Sequence, residues 1–142
     1  MAAYNKFLDF SEQLAKGVQN FGTDSYFIAL SNTLPLNTYT SFSEITEISA
    51  GNGYTAGGEE TTITVSETGG TTTVSGTEVI FAASSGTIGP FRYAVLYNDS
   101  ATSPADALVA WWDYGSSVTL ADGETFRIQF NNASPGAIFT LA

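Results

Sequence analysis

The sequence predicts a mainly β fold: an antiparallel β-sandwich, jelly-roll or immunoglobulin-like, with one N-terminal α-helix. Three observations lead there. Short runs of strand-forming residues are separated at regular intervals by Gly, Asn, Asp and Pro turn signals. Only the N-terminal segment carries the three-and-four apolar spacing of a helix. The chain has 142 residues, the length of one domain. A fold of this size buries roughly two thirds of its unfolded surface, enough for one core without disulfides or a metal. One domain over residues 1–142 is therefore expected, with the helix at about 4–17 and the sandwich at about 24–142.

The helix is read from Tyr4, Phe7, Leu8, Leu14, Ala15 and Val18, with Asp9, Glu12, Gln13 and Lys16 mostly opposite. Gly17 or Gly22 can end it. From Ser25 to Leu30 the period becomes two. A polar loop with Pro35 follows, then Glu44 to Ile48, whose alternation reads as a short strand, then the glycine-rich loop Gly51–Gly58. Residues 61–66 and 71–75 flank Gly69-Gly70 as a hairpin. The threonines of the 59–77 stretch favour an exposed hairpin over disorder. Residues 78–83, 92–98 and 107–114 are further strands. Segments 117–120 and 125–130 flank Asp122-Gly123, a second hairpin signal, and 137–141 closes the chain as a strand.

Three strands are apolar on both sides: 25–30, 92–98 and 107–114. Adjacent residues on a strand point to opposite faces, so Trp111 and Trp112 cannot share one core. One packs between the sheets and the other needs a second cover, because an open apolar patch of that size is rare in a soluble monomer. The expected cover is the N-terminal helix, with Phe7, Leu8 and Leu14 laid across the outer face; the alternative is a partner subunit. Tyr4, Phe7, Leu8, Leu14, Trp111 and Trp112 are thus the candidate interface or packing residues.

Composition removes most catalytic equipment. The chain has no histidine and no cysteine, and four cations against fourteen carboxylates. There is no imidazole to shuttle protons at neutral pH and no thiolate nucleophile. No catalytic, cofactor-binding or metal-binding residue is assigned, and a non-enzymatic protein is expected. A net charge of −10 argues against nucleic acid and anionic membranes as partners. No apolar run approaches the ~20 residues of a membrane helix. The first residues lack the charged-then-apolar order of a signal peptide, so a soluble protein made in a cytoplasm is expected.

The close acid pairs are Glu59/Glu60, Glu44/Glu47 and Asp122/Glu124. A glycosidase needs two carboxyls facing each other across a sugar, and nothing in the spacing fixes such a pair. The EF-hand pattern is absent, which leaves open a loop calcium cage built from Asp99, Asp106 or backbone oxygens. The Gly51–Gly58 loop has no Gly-Lys-Ser/Thr and precedes a strand, so it is no phosphate cradle. Tyr93, Tyr97, Trp111, Trp112 and Tyr114 form an aromatic platform that fills a core or, if exposed, receives a sugar.

The order of segments resembles a family of small virion structural proteins of tailed bacteriophages. The matching pieces are Tyr4-Asn5-Lys6-Phe7, Ser25 to Leu30, Ile45 to Ile48 with Gly51 to Gly58, Phe91 to Asp99, Leu108 to Gly115, and Thr119 to Phe130. The likeness spans nearly the whole chain and carries no catalytic residue. The 59–77 stretch departs from it in its threonine content. The resemblance implies a capsid decoration, or cement, protein on the outer capsid surface of the virion, made in the host cytoplasm. Its implied partners are the major capsid protein and itself, as a homotrimer. An acidic protein suits the outside of a particle whose lumen holds DNA. The alternative is a carbohydrate- or receptor-binding module of a tail or head fibre.

Overall fold

A computed structural model describes residues 2–142; Met1 lies outside the described residues. The fold is mainly β, and its sheet pairings are antiparallel. A five-stranded sheet is ordered β1 (Asn5–Lys6), β8 (Leu108–Leu120), β7 (Ile88–Asn98), β2 (Tyr26–Ser31), β3 (Glu59–Thr61). The second layer holds β4 (Ile63–Thr68), β5 (Thr71–Gly76), β6 (Val79–Ala82), β9 (Thr125–Ile128) and β10 (Gly136–Leu141). β10 and β4 flank β5, and β9 pairs with β6. Both small sheets share the main core with the large one. The chain crosses between layers at Thr61–Ile63, where β3 leaves the large sheet and β4 enters the small one, a common sandwich corner.

The helix is shorter than expected. Only Phe10–Ala15 is α-helical (α1). Asn5 and Lys6 are instead extended and pair with Trp111 and Ala110. The Phe7 amide then donates to the Val109 carbonyl at 3.1 Å. The helix stops where the sequence says it should. Gly17 takes φ 77°, its amide donates to Leu14 O, and the Val18 amide donates to Gln13 O. This pair of bonds closes the last turn around a left-handed glycine.

Two further expectations are corrected. Glu44–Ile48 is not a strand: Phe42–Glu44 is a 3-10 turn, and Glu47 makes one isolated bridge with Ser31. The Glu44 carboxylate caps this turn, accepting from the Thr40 and Ser41 amides. Asp122-Gly123 does turn the chain, but β8 and β9 do not pair. β8 stays with β7 to its last residue, Leu120 opposite Ile88, and β9 crosses to β6.

The main core lies between the layers. Tyr26, Ile28, Leu30, Leu96 and Ala110 from the large sheet meet Val74, Val79, Phe81, Phe130 and Ile138 from the small one. Helix α1 contributes Phe10 and Leu14 to one end of this core, where Phe10, Phe21 and Phe139 meet edge to face. A second cluster sits on the outer face of the large sheet: Ala29, Val95, Tyr97 and Leu108 under Phe7, Tyr39, Phe42 and Ile45. The cover expected from the helix is therefore supplied by the segment between β2 and β3, together with Phe7. Phe42 stacks on Tyr97, with ring centroids 4.1 Å apart.

The Gly51–Gly58 loop is held between both layers. A Cβ on Gly53 would lie 2.1 Å from the Ala82 carbonyl oxygen, and one on Gly58 would lie 1.9 Å from that of Ile28. Glycine is needed there because the backbone touches both sheets. The Glu47 carboxylate accepts from the Gly57 amide at 2.6 Å and from the Tyr54 hydroxyl at 2.7 Å. Tyr97 donates to the Gly57 carbonyl at 2.6 Å. The loop is a structural clamp.

Candidate functional site: an aromatic cleft at the open edge

On one side the two layers do not close. β1 covers β8 only at Ala110 and Trp111, so β8 is unpaired on that side from Trp112 onward. The outer edges of β9 and β10 are unpaired too. Between these edges runs an open cleft of about 680 Å³, a size typical of ligand sites. Strand alternation sends Trp112 and Tyr114 of β8 to the same side, toward it. Facing them are Phe126 and Ile128 of β9 and Phe139 of β10, and Tyr4 closes one end.

The rings meet as a connected wall. Tyr4 and Trp112 lie 5.9 Å apart edge to face, Trp112 and Phe130 5.5 Å, and Tyr114 and Phe126 5.3 Å. Such offset contacts hold aromatic rings in fixed positions. Burial against these neighbours pushes the Tyr4 phenol up to about 12, so it stays a neutral hydroxyl.

Arg92, Arg127, Gln129, Asn131 and Asn132 also border the cleft, but Arg127 and Gln129 leave the chain on the face opposite Phe126 and Ile128 and both meet Glu78. Arg92 grips Asp113 through two bonds of 2.8 and 3.1 Å. That grip holds the Asp113 carboxyl below its ordinary range and raises the guanidinium. Arg127 pairs with Glu78 at 3.2 Å. Asn131 and Asn132 sit in the left-handed region at φ 51° and 54°, where asparagine is well tolerated. No carboxylate lines the cleft among the described residues.

The six candidate residues divide among different surfaces. Tyr4 and Trp112 line the cleft. Phe7 is wholly buried in the outer-face cluster. Trp111 packs against that same cluster, and its indole N–H is buried without an acceptor. Leu14 packs into the main core. Leu8 faces solvent, 56% exposed, beside Leu36, because its amide is bonded to the Asn37 carbonyl. The regular spacing of Tyr4, Phe7, Leu8 and Leu14 thus serves four destinations rather than one helix face.

The acids are occupied locally. Asp122 accepts from the Ser85 amide and Glu124 from that of Ala121. Glu59 and Glu60 are consecutive on β3 and point to opposite sides. Asp106 is raised by burial and by neighbouring Asp99. Among the described residues no group of three or more acids could hold a metal ion, and no helix is long and apolar enough to cross a membrane. The contribution of Phe126, Phe139 and the two asparagines to one cleft was not foreseeable, since it depends on how β9 and β10 are placed.

The comparisons with known proteins assign no family: no family model, no curated protein and no solved structure matches the chain.

Proposed function

We propose that this protein is a non-enzymatic structural component of a tailed-phage virion, a cement protein bound in many copies to the outer capsid surface. It binds the major capsid protein, assembles with itself as a trimer, and engages neither nucleic acid nor membrane. One observation carries the reading. Leu8, Leu34 and Leu36 are 56, 52 and 52% exposed and belong to two joined segments. Pro35 is buried between the latter two, so the loop is anchored and presents both leucines outward. Grouped aliphatic exposure on an anchored loop is the mark of a contact surface. The sequence resemblance to virion structural proteins and the acidic charge support the same role. The docking surface moves accordingly, from the outer sheet face, which the chain covers itself, to these leucines.

The test is reconstitution. Particles lacking the protein are mixed with the wild type or with a Leu8→Asp/Leu36→Asp double variant, then sedimented. The wild type should travel with the particles and the variant, folded but altered at an exposed patch, should stay behind. Equal co-sedimentation of both would refute the assignment of this surface.

A further inference from the structure

We propose that the aromatic cleft is a binding site for a neutral oligosaccharide, a role separate from capsid attachment because it uses a different surface. Three features of the wall select this ligand. First, its floor is aromatic: Trp112 and Tyr114 project from β8, and Tyr114 is 58% exposed. The C–H face of a pyranose packs on such rings, while its edges remain polar.

Second, the rim offers hydrogen bonds that the fold does not use. The side-chain amides of Asn131 and Asn132 make no hydrogen bond to the described residues and line the cleft from a left-handed turn. An apolar peptide would leave these groups unpaired, at a cost in desolvation. A hydroxyl-rich ring satisfies them.

Third, the charge balance is neutral. Both arginines border the cleft and each is already held by a carboxylate: Arg92 by Asp113, and Arg127, on the face of β9 opposite Phe126 and Ile128, by Glu78. Neither guanidinium offers a free positive charge to attract an acid. The net charge of −10 further repels anionic polymers. A neutral glycan therefore fits better than a sulfated or uronic one.

The experiment is calorimetric titration of the full chain with maltohexaose, cellohexaose, chitohexaose and mannohexaose, and with hexagalacturonate as the anionic comparison. At least one neutral hexasaccharide should bind, with Kd in roughly the micromolar to millimolar range. Tyr114→Ala and Asn132→Gly should each weaken that binding about tenfold, the loss of one stacking or polar contact. Both variants alter exposed side chains, and glycine accepts the φ of position 132. Their melting curves should match the wild type. The proposal is overturned if no neutral hexasaccharide binds below about 10 mM, if hexagalacturonate binds as tightly, or if a folded Tyr114→Ala keeps the wild-type affinity.

Discussion

Trp111 and Trp112 are neighbours on β8 and face opposite sides of the large sheet. The first packs beneath the outer cover, edge to face with Tyr93 at 5.9 Å. The second lines the cleft between the sheets, against Tyr4 and Phe130. The pair marks the point at which the large sheet becomes apolar on both sides. It also separates a structural indole from one available to a ligand.

Trp111 keeps its indole N–H buried without an acceptor. Replacing it by phenylalanine removes that unmet donor along with some packing area. The two effects oppose each other, so Trp111→Phe should cost no more than about 1 kcal/mol in denaturant unfolding. A loss several times larger would mean that the N–H has a partner in solution.

Gly58 and Gly69 both have positive φ, 85° and 60°, but only Gly58 is crowded. Gly58→Ala would push a methyl group into the Ile28 backbone, so β2 or the loop must move. Thermal unfolding should show a loss of about 3 kcal/mol or more, while Gly69→Ala, in open space, should lose about 1 kcal/mol from backbone strain alone. Equal losses at the two sites would contradict the close approach of loop and sheet.

Asn98 is fully buried and ties three segments together. Its amide nitrogen donates to Asp24 at 2.8 Å and lies 3.2 Å from both the Gln19 Oε1 and the Tyr26 hydroxyl. Its oxygen accepts from the Ser100 and Ala101 amides. Asn98→Leu would leave these groups unpaired in the interior and should cost about 3 kcal/mol or more in urea unfolding. A smaller change would show that water replaces the side chain.

Asp106 carries an opposite kind of burden. Burial first, and then Asp99, raise its carboxyl above the ordinary value. A raised acid favours the folded state most when protonated, so stability falls as pH rises from the unfolded value near about 4 through the raised folded one. Its φ of 49° also suits asparagine. Asp106→Asn should therefore stabilise the protein at neutral pH by about 0.5–1 kcal/mol, a gain that shrinks below about pH 4. Melting temperatures of both proteins across this range check the sign. A destabilised variant at pH 7 would contradict it.

Much of the fold was legible because several strands carry their own signals. β2 and the hairpin at Gly69-Gly70 appear where strand-forming and turn residues place them, and β7 covers the expected 92–98 but begins four residues earlier, at Ile88. What was not legible depended on tertiary placement. β1 is two residues long and exists only because Ala110 and Trp111 are there to pair with. The Asp122-Gly123 turn looks like a hairpin, yet the strands on either side pair elsewhere, since β8 is matched along its length by β7. Glu47 falls within an alternating pattern but serves as an acceptor for the glycine loop. The cleft depended on the unpaired edges of β8, β9 and β10 meeting across the sandwich, and neither β9 nor β10 announces its neighbour.

The most direct test of the virion role is a particle reconstruction by electron cryomicroscopy, with copy number checked by quantitative mass spectrometry. Density matching this sandwich is expected on the outside of the capsid, repeated at equivalent positions over the shell, with the Leu8–Leu36 surface against the capsid protein. Density confined to the tail, or no copies on the particle at all, would contradict it.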